Sequence, residues 1–243
     1  VRYSTFNYNG GQRASGLWFD LGSQQVNIYG NKMALNARHG VVYEVSDQGI
    51  IASNLVKENG WGSSVNGGGY GIMMGSANTK VYNNTITDNK QGVFLYDDAR
   101  SPGSSTGYDA SRVGPNSVNV SMVNNIISTT SSSSSALVRI TGGKSTVAGN
   151  TTAEQMLSKM DYNSYAKPGS TQFVNWRSQD DKPTTVYQSV AALQAAKEME
   201  AKGDLASGTT VSASSVEQGT SLPADVARLL GLTTTSQVNR GLL

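Results

Sequence analysis

Two carboxylates fall at equivalent places in successive segments of the chain. Asp20 closes Gly16-Leu17-Trp18-Phe19-Asp20, and Glu44 closes Gly40-Val41-Val42-Tyr43-Glu44. If both segments are strands, alternation sends Leu17, Phe19, Val41 and Tyr43 to one face and Trp18, Asp20, Val42 and Glu44 to the other. If the strands are parallel neighbours, the two carboxylates stand about 4.8 Å apart, the inter-strand spacing. Retaining glycoside hydrolysis uses two carboxylates about 5–5.5 Å apart, one as nucleophile and one as acid/base. Like charges at that range also push one pKa of such a pair upward, which supplies the acid. Outward acids on a sheet are more often merely solvated. Here Trp18 flanks the pair, the lone histidine His39 adjoins the second strand, and a Gly-rich stretch from Gly60 to Tyr70 follows.

Other residues extend this candidate site. Trp18 could stack on a sugar ring. Arg38 and Arg139 are suited to acidic sugars, although surface arginine is commonplace. His39 is equally a packing or turn histidine. Tyr96-Asp97-Asp98-Ala99-Arg100 opens a long polar insertion. Tyr96, Asp97, Asp98 and Arg100 could line a subsite, and the Asp97/Asp98 pair could hold Ca²⁺. A loop with an internal salt bridge accounts for the same residues. No other cofactor is called for: no His/Asp/Glu spacing points to zinc, and neither a Gly-X-Ser-X-Gly elbow nor a phosphate loop occurs.

Positioning two carboxylates one strand apart requires a repeating scaffold, and the sequence contains one. A glycine, a short alternating apolar strand, a polar turn, a second short strand and an asparagine recur. The glycines are Gly16, Gly40, Gly71 and Gly92, with a degenerate fifth unit at Ala136–Ile140. The asparagines are Asn31, Asn54, Asn84, Asn125 and Asn150, at steps of 23, 30, 41 and 25 residues. The shorter steps fit one coil of a solenoid; the longer ones fit a coil plus the insertions Gly60–Tyr70 and Asp97–Ser117. Aligned on glycine, one outward column reads Asp20, Glu44, Gly75, Tyr96 and Arg139, and a second reads Trp18, Val42, Met73, Phe94 and Leu137. Leu17, Phe19, Val41, Tyr43, Ile72, Met74, Val93 and Leu95 should point inward. Stacked turn asparagines can hydrogen-bond from coil to coil.

The expected fold is therefore all-β, a right-handed parallel β-helix with a small C-terminal α/irregular cap. Residues 1–155 form the coils, as the C-terminal part of a longer solenoid, and residues 156–243 the cap. Within the cap, Asp161–Tyr165 and Phe173–Trp176 read as a last irregular strand layer, Val186–Lys202 as a helix and Leu222–Gly231 as a short helical turn. Val1–Ser15 offers no capping helix. An upstream chain or a second copy is expected to cover that end.

Composition narrows the function classes. The 243 residues include 27 glycines and 37% apolar side chains, a thin core with many turns. Net charge is only +2, which gives no electrostatic case for nucleic acid or an anionic membrane. No apolar run reaches membrane-spanning length. Without cysteine there is no disulfide and no thiolate metal site.

Gly16-Leu17-Trp18-Phe19-Asp20 followed by His39-Gly40-Val41-Val42-Tyr43-Glu44-Val45-Ser46 resembles secreted bacterial β-helix proteins of the pectate-lyase-like kind. It is most similar to the parallel β-helix glycoside hydrolases of the β-xylosidase type. Those carry a Trp-hydrophobic-Asp strand and, one coil later, an aromatic-Glu-Val strand. The resemblance covers about Gly16 to Asn59. It implies secretion or a cell-surface location, a polysaccharide or oligosaccharide substrate, Asp20 as nucleophile and Glu44 as acid/base. A polysaccharide lyase or uronate epimerase, or a non-catalytic glycan-binding surface or tail-spike β-helix, would present the same scaffold.

Overall fold

A computed structural model describes residues 1–62, 69–97, 111–114, 116–131, 136–144, 150–169, 172–233 and 236–243. Short strands follow one another around a three-sided prism, one strand per side per coil. Sheet I stacks Leu17–Phe19, Val41–Asp47, Tyr70–Ala77, Gln91–Tyr96, Val138–Thr141 and Val174–Arg177 in parallel, with Thr185–Tyr187 added antiparallel. Sheet II stacks Asn27–Tyr29, Ile50–Ala52, Lys80–Tyr82, Val120–Val123 and Leu157–Asp161. Sheet III runs from Thr5–Asn7 through Lys32–Ala34, Leu55–Lys57, Thr85–Thr87, Ile126–Ser128 and Ser164–Ala166 to Asp204–Ala206.

The inward register is as the alternation predicts. Val41, Tyr43, Ile72, Met74, Val93 and Leu95 are buried in one apolar column, and Leu17 and Phe19 pack against its first coil. No single coil could bury this column; stacking does.

The corners explain how strands of three residues can close a coil. Most of the described ones place one residue in the left-handed region. Between sheets II and III it is Gly30, Ser53, Asn83, Asn124 or Tyr162; between III and I it is Tyr8, Leu35, Glu58 or Asp88; between I and II it is Gln25, Gln48, Asn78 or Asn119. The asparagine that follows at the II–III corner builds the ladder. Asn31, Asn54, Asn84 and Asn125 each donate backbone and side-chain N–H to the Oδ1 one coil on, at 2.9–3.1 Å. A second ladder, Asn9, Asn36, Asn59 and Asn89, runs along the III–I corner with the same pattern.

Three expectations need correction. The last rung of the first ladder is Asn163, at a step of 38 residues, and not Asn150, which lies in an antiparallel pair with Lys144. The fifth coil therefore takes Leu157–Asp161 as its sheet II strand, and Asp161–Tyr165 with Phe173–Trp176 continues the regular stack. Val1–Ser15 forms no helix yet belongs to the stack, since Arg2 bridges to Tyr29 and Thr5–Asn7 pairs with Lys32–Ala34. The predicted helix 186–202 is shorter, Val190–Lys197, because Val186 and Tyr187 join sheet I and Glu198 adopts φ 56°.

Leu193 of that helix seals the end of the main core. The short helix Ala224–Leu229 lies instead along the side of the stack, where Val226 and Ala227 cover Tyr29, Ala52, Tyr82 and Val123 of sheet II. No helix among the described residues is long and apolar enough to cross a membrane.

Candidate functional site

Sheet I carries the predicted carboxylates on its outer face. Leu17, Trp18 and Phe19 pair with Val41, Val42 and Tyr43. The Gly22 N–H to Val45 carbonyl bond keeps the same offset beyond the strand end, so Asp20 is level with Glu44 one coil away. Asp20 sits where the strand turns: its Oδ1 accepts the Leu21 N–H at 2.7 Å, and Leu21 itself is left-handed at φ 53°. The side chain is half-buried.

Glu44 is outward by register yet only 6% exposed. Trp18 Nε1 donates to its Oε1 at 2.9 Å, and the Tyr96 hydroxyl donates to its Oε2. Tyr96 belongs two coils further on, and the intervening position is Gly75. A Cβ there would lie 2.7 Å from Tyr96 Cζ, so the missing side chain is what lets the phenol reach across a coil. Trp18 keeps 43% of its surface exposed while its N–H is committed to Glu44.

Beside this clamp runs a strip of rings. His39 stacks on Tyr70 with centroids 5.7 Å apart, Tyr70 on Phe94 at 4.9 Å, and Phe94 on Tyr96 at 5.1 Å. His39 is 3% exposed, and its Nδ1 accepts the Tyr70 backbone N–H at 3.0 Å. Burial, with the nearby Arg38 charge, lowers its pKa to about 3, so the imidazole is neutral and part of the wall. Arg38 is half-buried at the same corner.

Arg139 is in the other outward column from the one expected. Its partner in register is Phe94, and Thr141 stands opposite Tyr96. The pairing of Val93 with Val138 puts Leu137 in the position of Gly92, so the fifth unit is aligned two residues away from the expected columns, which keeps Arg139 on the outer face. Arg139 lies 4.9 Å over the Phe94 ring, with Nη1 3.4 Å from the Tyr70 hydroxyl. Asp97 is buried and accepts from Asn116 Nδ2 at 3.2 Å. Asp98 and Arg100 lie outside the described residues, and no group of three or more His, Asp or Glu able to hold a metal occurs among the described ones.

The family model "Right handed beta helix region" matches residues 1–105, which include Asp20, Glu44 and Tyr96. The chain is a right-handed parallel β-helix. No curated protein and no solved structure gives a significant match. The β-helix thus brings together Trp18, Glu44 and Tyr96, with Asp20 level with Glu44 on the adjacent coil and with His39, Tyr70 and Phe94 alongside, on sheet I. A larger groove, about 980 Å³, lies elsewhere: it follows sheet II past Gln25, Gln48, Asn78 and Asn119 to Arg228. Amides dominate that groove, and its one lining carboxylate, Asp225, is tied to Lys80, so the chemistry is better sought on sheet I. Sequence reasoning missed Thr141, Asn175 and Arg177, which continue the sheet I face. Their signal was there in the alternation of Val138–Thr141 and Val174–Arg177, hidden by the misaligned fifth unit.

Proposed function

We propose that the outer face of sheet I acts on carbohydrate, as a glycoside hydrolase that retains anomeric configuration. The observation that carries this reading is the placement of Asp20 and Glu44 at one register position on adjacent coils, beside an exposed Trp18. At the parallel-strand spacing of about 4.8 Å the pair suits a double-displacement mechanism. Asp20 attacks the anomeric carbon as the glycosidic C–O bond breaks, and Glu44 gives its proton to the leaving oxygen. Glu44 then takes a proton from water, whose oxygen displaces Asp20 from the anomeric carbon. Trp18 and Tyr96 fix the Glu44 carboxyl, as a positioned acid requires, and the Trp18 ring offers a stacking surface for a sugar.

Turnover of a panel of aryl glycosides tests this. Asp20→Asn is expected to abolish cleavage of every substrate. Glu44→Gln should lose about 10²–10⁴-fold on poor leaving groups and recover on dinitrophenyl glycosides, whose departure needs no proton. The first product detected by NMR should keep the substrate's configuration. Wild-type rates in both variants, or inversion, overturn the assignment.

A second reading follows from one observation, the near-complete burial of Glu44 between two donors. A non-catalytic glycan-binding face would use Glu44 only to hold Trp18. In that case Glu44→Gln weakens glycan binding, and no glycoside is cleaved by the unmodified chain.

A further inference from the structure

Further along sheet I from the carboxylates is a small polar cavity of about 220 Å³, lined by Arg139, Thr141, Asn175, Arg177 and Thr184. Thr141 shares a column with Glu44, three coils on, roughly 14 Å along the stack at the parallel-strand spacing. Arg139 pairs in register with Asn175, and Thr141 with Arg177, so the four form a two-by-two block on adjacent strands.

The block presents polar groups that the described residues leave without protein partners. Neither guanidinium has a carboxylate within ion-pair distance among the described residues. Arg139 is placed by the Phe94 ring and the Tyr70 hydroxyl. Arg177 is placed by the Thr184 hydroxyl and the Asp180 carbonyl. Each keeps N–H groups free for another acceptor, since a guanidinium has five. Thr141 is 8% exposed, and its hydroxyl has no protein hydrogen-bond partner among the described residues. Asn175 Oδ1 is likewise buried without one, although its Nδ2 is used by Gln172. Buried polar atoms without partners are rare in folded chains and call for an explanation. Of the four such side-chain atoms among the described residues, two line this one cavity.

We propose that this cavity is a subsite for the anionic substituent, a carboxylate or sulfate, of an acidic sugar. The two guanidinium groups would clamp the anion, Thr141 would donate its hydroxyl proton to it, and Asn175 Oδ1 would accept from a neighbouring sugar hydroxyl. The volume suits one charged substituent and part of its ring, not a whole oligosaccharide. The proposal rests on reading sheet I as a carbohydrate face.

Ligand-observed NMR titration of the whole chain with methyl β-D-glucuronoside and methyl β-D-glucoside is the test, with glucose 6-sulfate as a third arm. The glucuronoside is expected to bind about tenfold more tightly than the glucoside, a preference carried by charge-assisted hydrogen bonds. Arg139→Gln and Arg177→Gln should each remove most of that preference. Thr141→Val should weaken the glucuronoside several-fold and leave Tm equal or higher, because the lost hydroxyl has no partner in the unliganded fold. The sulfate arm decides which anion is preferred: glucose 6-sulfate bound more tightly than the glucuronoside assigns the cavity to sulfated sugars. Equal affinities for all three ligands, a preference that survives both arginine substitutions, or no saturable binding overturns the proposal. Binding is read without turnover, so a charge preference kept by Asp20→Asn upholds the subsite even where no glycan is cleaved. Cleavage of neutral and acidic glycans with equal efficiency retains the Asp20/Glu44 reading and removes the subsite.

Discussion

Glu44 owes its setting to a residue that has no side chain. Tyr96 reaches it only because Gly75 leaves the space between them empty, and the Trp18 indole closes the other side. Gly75 has an ordinary strand conformation, so alanine there is resisted by the Tyr96 ring and not by the backbone. Gly75→Ala should cost about 1–3 kcal/mol, the usual range for overpacking. The same substitution in a Tyr96→Ala background should cost close to nothing, and chemical denaturation of the double-mutant cycle measures the difference. Additive effects would mean that Tyr96 does not occupy that space. The Asp20, Glu44, Gly75, Tyr96 column was legible in the sequence because period-2 alternation survives in every one of those strands. The clamp was not, because alternation gives a face and says nothing of how far a side chain leans across it. Arg139 was misplaced for a related reason: Leu137 stands where other coils have glycine, so composition offered no anchor for the register.

The strands are too short to hold a sheet by themselves, and the asparagine ladders carry much of the corner chemistry. Asn84 Oδ1 accepts both the backbone and side-chain N–H of Asn54, and its own Nδ2 donates to the Ile51 carbonyl at 2.8 Å and to Asn125. All these groups are buried. Asn84→Ala strands at least two donors and an acceptor away from water, at about 1–3 kcal/mol for each unmet group. A loss of about 3 kcal/mol or more in denaturant-derived stability is expected. Asn9→Ala, at the exposed first rung of the other ladder, should lose under about 1 kcal/mol. Similar losses at the two sites would show that burial, and not the ladder position alone, has been misjudged. The first ladder was visible as a recurring Asn at coil-sized steps. The second was not, since Asn36, Asn59 and Asn89 follow strands of mixed polarity, Lys32–Ala34, Leu55–Lys57 and Thr85–Thr87, each with a single large apolar side chain fully in the core. Asn150 falls at a plausible spacing for a rung, but the chain makes an antiparallel excursion there before Asn163 resumes the series.

Over the whole molecule, a stack of head-to-tail amides must end on a group that accepts and passes nothing on, and here that group is Glu200. Its Oε1 accepts from Asn163 Nδ2 at 2.7 Å and from the Tyr165 hydroxyl at 2.6 Å, and its Oε2 accepts the Asn163 N–H at 3.3 Å. It is fully buried, and burial raises its pKa to about 7 against the lowering effect of those donors. The contribution of Glu200 to stability is therefore complete below its ordinary value of about 4.5 and is lost as pH rises through about 7. His39 has the opposite sign. Held near 3 by burial and Arg38, it stays neutral in the fold, so its contribution is present above about 6.5 and is lost as pH falls toward 3. Between about 4.5 and 6.5 the two slopes oppose, one proton bound only by the folded chain against one bound only by the unfolded chain, and stability should be nearly flat. Below that window His39 is joined by Glu154, and by Asp225 and Asp181, whose pKa values are also lowered. Burial raises the Glu154 pKa, but Lys197 and further hydrogen bonds outweigh it and hold the group at about 2, so stability falls with acid. Glu200→Gln keeps an acceptor for Asn163 and removes the titration. Its stability should climb between pH 4.5 and 6.5 by up to about 1.4 kcal/mol per pH unit, where the unmodified chain stays level. Guanidinium denaturation of both proteins across pH 3–8 measures the two profiles, and parallel curves would show that Glu200 ends the ladder as an ordinary ionised carboxylate.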